Sequence, residues 1–167
     1  MNEGFRFHSH SPEQTRDLAR ALARTIDERG LLVALEGPLG SGKTVFVKGL
    51  AAGLQISPGA VSSPSFVIAS EYEGCSPDGG RRVLVHADLY RVENATELES
   101  AGYLDWLAPG HVVAIEWAER AWEALPQDCL WVTLSAGEKS DEREIVVKAQ
   151  GVVAKQALRL WREAAAG

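Results

Sequence analysis

The chain has 167 residues, 46% of them apolar and 24% charged, with a formal net charge of −6. A single domain of this length buries about 70% of its unfolded surface, so a substantial core is expected. The acidic balance, with a pI near 5.2, excludes a global basic field for holding nucleic acid. If RNA is involved, it enters through a partner or a small local patch.

The opening MNEGFRFHSHSPEQ has no apolar stretch of the kind a secretory leader carries, and a cytoplasmic location is expected. Within it GFRF alternates and predicts an edge strand. Ser11 as N-cap, Pro12 at the first helical position and Gln14 closing a capping box predict a helix start. Leu18, Leu22 and Ile26 continue it at helical spacing, and Gly30 suits its stop. LLVALE, residues 31–36, reads as a strand buried on both faces, as in a parallel sheet. A glycine-rich loop follows, and TVFVKGLAAGL continues as a helix ending near Gly53.

VSSPSFVIASEYEG reads as a loop leading into a strand, SPDGGRR as a turn and VLVHADLY as a second strand. That pair predicts a hairpin and hence a mixed sheet. NATELESAGYLDWL predicts a short helix capped by Asn94 with Glu97 at the capping-box position. HVVAIEW is a strand, and AERAWEAL a helix stopped by Pro126. CLWVTLSAG and REIVVKAQ flank a polar turn as a second hairpin, and a helix over 152–165 closes the chain. The expectation is one α/β domain over 1–167, a central mostly parallel, mixed sheet flanked by helices. Cys75 and Cys129 form no C-x-x-C pair and read as reduced thiols; the five tryptophans read as packing or partner surface.

The strongest motif is Gly37-Pro-Leu-Gly-Ser-Gly-Lys43-Thr44, the phosphate-loop pattern G-x-x-x-x-G-K-[ST]. Its glycines let backbone N–H groups turn toward phosphate oxygens, and the following helix N-terminus favours negative charge. Lys43 would reach the β- and γ-phosphates and the Thr44 hydroxyl would ligate Mg²⁺. A chance match would lack the buried strand before it and the helix after it, and both are present.

Such a site also needs an acid to hold the magnesium shell or orient the attacking water. Asp88 ends VLVHAD and Glu116 ends VVAIE, at the carboxyl ends of strands where α/β sheets bind ligands. A lone acid at a strand end is ordinarily solvated or salt-bridged; beside a phosphate loop it gains a function. His86 shares a strand face with Asp88, but a histidine there is more often a packing residue than a catalytic one. SSPSF, residues 62–66, lies where many P-loop proteins place a switch loop, and Arg91 could neutralise phosphate or pair with a glutamate.

A GTPase would carry N-K-x-D for guanine, and the chain has none. A small-molecule kinase would carry an arginine-rich lid, whereas EKSDEREI is short and mostly acidic. A AAA-type motor needs a larger module. What remains is a compact ATPase, with a kinase in which Asp88 activates a substrate hydroxyl, and a nucleotide-gated binding module, as rivals.

The set LEGPLGSGKTVFVKGL, SSPSF, HADLYR and AIEWAE, in order over essentially the whole chain and with SPEQT before it, resembles the TsaE family. This family, also called YjeE, is the ATPase component of bacterial tRNA threonylcarbamoyladenosine synthesis. Where relatives typically read S-P-T-F, this chain has Ser63-Pro64-Ser65-Phe66. It also has Pro38, Ala87 and Ala118 where relatives often carry Asp, a large apolar residue and Pro. The resemblance implies an α/β P-loop fold and ATP phosphates held by Lys43 and the backbone of Leu39, Gly40, Ser41, Gly42 and Thr44. It implies Mg²⁺ on Thr44 and Glu116, Asp88 as the acid for hydrolysis, and Ser65 as the switch hydroxyl. It also implies Thr15 in nucleotide binding and Trp117 beside the site. Family members have feeble ATPase activity alone and act on a complex of TsaB and TsaD. TsaD itself transfers threonylcarbamoyl to adenosine 37 of tRNAs reading ANN codons, so hydrolysis is expected to reset the partners between turnovers.

Overall fold

Leu31 to Leu35 are apolar at every position, and all five are buried in a strand that other strands flank on both sides. That strand is the centre of a seven-stranded sheet in the computed structural model, which describes residues 3–64 and 68–167. The strands are β1 (Glu3–Ser9), β2 (Leu31–Glu36), β3 (Ala69–Cys75), β4 (Arg81–Asp88), β5 (Val112–Glu116), β6 (Cys129–Ala136) and β7 (Arg143–Gln150). Their order is β1-β7-β6-β2-β5-β4-β3. β2 pairs in parallel with both β5 and β6, and β4 pairs in parallel with β5. Antiparallel hairpins, β3–β4 and β6–β7, close the two sides, and β1 lies antiparallel on β7 as an edge. The mixed sheet, both hairpins and the first edge strand are therefore as the sequence predicts.

The helices are α1 (Pro12–Ala23), α2 (Lys43–Gly53), α3 (Ala95–Ser100), α4 (Tyr103–Trp106) and α5 (Val152–Ala166). Short 3₁₀ turns span Pro58–Ala60 and Ala118–Ala124. Alternation along the strands divides the core in two. Val33, Leu35, Leu84 and Val112 pack under α1, α2 and α5, while Leu32, Ala34, Val85 and Ile115 pack under α3, α4 and the second 3₁₀ turn. No helix among the described residues is long and apolar enough to cross a membrane. Cys75 and Cys129 are free thiols.

Ser11 caps α1 by accepting from the Gln14 N–H at 3.0 Å, and the Gln14 side chain accepts from the His10 N–H at 2.6 Å, completing the capping box. Three boundaries differ from expectation. α1 ends at Ala23 and not at Gly30, which serves the turn into β2; a Cβ there would stand 2.2 Å from the His111 carbonyl. The expected single helix after Asn94 is two, separated at Gly102, whose φ of +90° belongs to no right-handed helix. The expected helix after Trp117 is a 3₁₀ turn interrupted at Ala121, where φ is −136°.

Candidate nucleotide site

The phosphate loop, Asp88, Glu116 and Trp117 come from the carboxyl ends of β2, β4 and β5. The register puts Leu35, Glu116 and Asp88 in one row across those strands, so their side chains share the face that α2 covers. The loop after β2 enters α2 through Gly42, which has φ +103° and ψ 16°, a left-handed conformation that glycine takes without a Cβ penalty. Residues of this loop, Asp88, Glu116 and Trp117 line a cleft of about 290 Å³.

Lys43 is nearly buried at the base of that cleft. Its Nζ donates to the Gly37 carbonyl at 2.5 Å and the Pro38 carbonyl at 3.1 Å, and lies 4.1 Å from the Trp117 ring centroid. Burial lowers the lysine's pKa, against the opposing pull of the Glu116, Glu119 and Asp88 carboxylates. Trp117 reaches this position from a left-handed backbone, φ 57° and ψ 38°, which costs a side-chain-bearing residue about 1–2 kcal/mol. The strained turn brings the indole over the lysine. Tyr90 packs against the same indole at 5.0 Å between centroids, and the Arg120 guanidinium lies within 6 Å of both rings (5.3 and 5.9 Å).

The Thr44 hydroxyl donates to both Glu116 oxygens, at 3.0 and 3.1 Å. Glu116 is 3% exposed, and its Oε2 also lies 2.5 Å from His86 Nε2, on a residue with no exposure at all. Asp88 is held differently. Its Oδ1 accepts from the Tyr90 N–H at 2.9 Å and its Oδ2 from the Ser63 hydroxyl at 3.2 Å. The two expected acids thus do converge on Lys43 and Thr44. Hydroxyl and carboxylate oxygens are the hard donors that Mg²⁺ takes, with one or two carboxylates beside substrate phosphates, so the donor set fits that ion.

Leu39 projects from the loop tip, 86% exposed, while Ser41 is buried with its hydroxyl unpartnered among the described residues. Thr15 stands apart from the cleft. It is 1% exposed and lies 2.6 Å from Ser9 Oγ, whose own hydrogen goes to the Ser11 carbonyl at 2.8 Å. The threonine hydroxyl is therefore the donor in that pair, directed at Ser9 inside the fold. Ser65 lies outside the described residues.

Two participants escape sequence reasoning. Arg143 donates from Nε to the Ser41 carbonyl at 2.9 Å and from Nη2 to the Gly40 carbonyl at 3.1 Å. Its Nη1 binds the Ser140 and Glu142 carbonyls of its own hairpin. The guanidinium so ties the β6–β7 turn to the phosphate loop, 102 residues away in sequence, and lines the cleft. Glu119, in the 3₁₀ turn, has its carboxyl pKa raised by burial and by Glu36. Only the third position after Glu116 marks it in the sequence.

Residues 9–145 match the family model described as "Threonylcarbamoyl adenosine biosynthesis protein TsaE". The chain is 40% identical over 143 residues to the tRNA threonylcarbamoyladenosine biosynthesis protein TsaE of Bacillus subtilis, covering 84% of this chain and 83% of that one. It is 37% identical over 139 residues to the protein of the same description from Streptomyces coelicolor, covering 81% and 90%. A crystal structure of Bacillus subtilis YdiB superimposes with a TM-score of 0.72 at 32% identity, over 98% of this chain and 97% of the other.

Proposed function

Given that the chain belongs to the TsaE family of tRNA threonylcarbamoyladenosine biosynthesis proteins, we propose that it is a weak, Mg²⁺-dependent ATPase that serves this modification in the cytoplasm. Its hydrolysis resets a TsaB–TsaD complex between rounds of transfer to adenosine 37, and it meets tRNA only through those partners. The observation that carries the reading is the meeting of Lys43, Thr44, Glu116 and Asp88 in one cleft.

Backbone N–H groups from Leu39 to Thr44 receive the phosphate oxygens, aided by the N-terminus of α2. Lys43, now spent on the Gly37 and Pro38 carbonyls, exchanges those partners for the β- and γ-phosphates. Thr44 and Glu116 would hold magnesium, which when bound neutralises charge on the β- and γ-phosphates. Asp88 or Glu116 orients the water that attacks the γ-phosphorus as the bond to the ADP oxygen breaks. Asp88 is the more open of the two to solvent, while Trp117 lines the cleft with Tyr90 packed against its indole. A net charge of −6 suits docking on a basic partner.

The test is phosphate release from ATP and Mg²⁺ by the purified chain, alone and then with cognate TsaB and TsaD. Slow turnover should rise with the pair. Lys43→Ala should abolish it, and Glu116→Gln should lower it on the order of 10²-fold while retaining bound nucleotide. Phosphate appearing on a small metabolite, with no response to the pair, would replace this reading by a kinase.

A further inference from the structure

We infer that His86 is a positioning residue: its Nε2–H fixes the Glu116 carboxylate toward Thr44 and thereby sets how strongly magnesium enhances nucleotide binding. The inference rests on the nucleotide reading above and goes beyond it, because it assigns work to a side chain that need not touch either ligand.

The geometry is specific. Glu116 ends β5 with both carboxylate oxygens inside the protein, 3% exposed, and His86 is wholly buried two residues before the end of the neighbouring β4. A carboxylate in that position is costly unless donors satisfy it. Among the described residues it has two, Thr44 and His86. Thr44 has one hydroxyl hydrogen to divide between Oε1 at 3.0 Å and Oε2 at 3.1 Å. His86 Nε2 lies on Oε2 alone, at 2.5 Å, and is the contact that selects one orientation of the carboxylate.

The ring's tautomer follows from the same contacts. A carboxylate oxygen accepts only, so Nε2 carries the hydrogen. Nδ1 has no hydrogen-bond partner among the described residues, and a bare lone pair tolerates that better than an N–H would. A histidine that merely filled space would not need its one donor placed on the acid opposite the phosphate loop. Outer donors of this kind orient acids that hold metals, and their loss typically costs about 10–100-fold in metal affinity.

The experiment measures the coupling between Mg²⁺ and a non-hydrolysable ATP analogue. The quantity read is the ratio of analogue Kd without and with saturating magnesium. His86→Leu should reduce that ratio by about 10-fold or more, through the Kd with magnesium and far less through the metal-free Kd that the loop governs. His86→Gln, which can place an amide N–H near the same oxygen, should recover most of it. Wild-type coupling in His86→Leu overturns the inference. Should that variant not fold, long-range ¹H–¹⁵N spectra of the wild-type histidines decide: a protonated Nε2 on His86 whose shift moves with magnesium and analogue supports it, and a bare Nε2 overturns it. Absence of coupling in the wild type, or full coupling in Glu116→Gln, is a separate failure, that of the nucleotide reading itself.

Discussion

The two faces of the sheet are built by different rules. One face is covered by α1, α2 and α5, regular helices whose residues interdigitate, with Trp161 wholly buried among Phe7 (4.4 Å between centroids), Phe46 (6.0 Å) and the Leu18 carbonyl, to which its Nε1 donates at 2.8 Å. The opposite face is covered by two helices of 6 and 4 residues and an interrupted 3₁₀ turn. It leaves Leu104 and Trp122 exposed, at 74% and 65%. Yet it is this second face whose connections deliver Trp117 to the cleft. The regular side backs the phosphate loop with α2, and the irregular side supplies Trp117, whose backbone must bend to reach it.

The largest expected contrast is between two tryptophans. Trp161→Ala removes a fully buried ring from the first face and should cost about 3–5 kcal/mol. Trp122→Ala on the second face should stay within about 0.5 kcal/mol, since most of that ring is already in water. Urea unfolding of both variants measures this directly. Similar losses would show that the second face is as tightly determined as the first.

A second contrast concerns glycines. α2 meets α1 through Gly49 and Gly53, one helical turn apart. A Cβ at Gly49 would stand 2.3 Å from the Arg16 carbonyl oxygen and 2.6 Å from Ala19 Cβ. One at Gly53 would stand 2.6 Å from both Ala23 Cβ and the Arg20 carbonyl oxygen. Gly49→Ala should therefore cost about 3 kcal/mol through forced separation of the helices, although alanine alone would favour the helix by about 1 kcal/mol. Because α2 begins at Lys43, nucleotide binding should weaken with it. Gly102→Ala, where the nearest atom is Asp105 Oδ2 at 3.9 Å, should cost only about 1 kcal/mol, from its left-handed backbone. Thermal unfolding with and without nucleotide separates the two, and an unshifted Gly49→Ala would break the account of the seam.

These elements also show what could be read from the residues alone. The strands, hairpins and first capping box were legible because each is set by local alternation or by side chains three residues apart. Asp88 and Glu116 were legible as strand-end acids, and the structure brings them together. Gly53 was legible only as a helix end; its second use, close approach to α1, depends on which helix lies across it. Arg143 carries no motif, since its partners are backbone carbonyls of a loop that only the sheet order places beside it. Thr15 has a contact of the same kind: its place in a recognisable opening carries no information about Ser9, to which its hydroxyl donates. His86 was seen on the face of Asp88, but the acid it binds belongs to the neighbouring strand, and that pairing is a property of register.

The smallest effect to test is alkaline. Cys129 and Tyr103 both belong to the second face. Burial pushes the Cys129 thiol from 9.0 up to about 12, and the Tyr103 phenol from 10.0 up to about 12, with Cys129 adding to the latter. Between pH 9 and 12 the folded chain keeps protons that the unfolded chain releases. The unfolded state then binds fewer protons, so stability must fall as pH rises, by about 1.4 kcal/mol per pH unit for each such group once its unfolded value is passed. Below pH 9 neither group contributes a slope. Urea midpoints at pH 8, 9 and 10 should show the fall beginning near 9, and Cys129→Ala should remove that first part while leaving the Tyr103 share, which starts near 10. A slope unchanged in Cys129→Ala would mean that the thiol ionises as freely in the fold as in water. The second face would then be open to solvent under its short helices as well as at its rim.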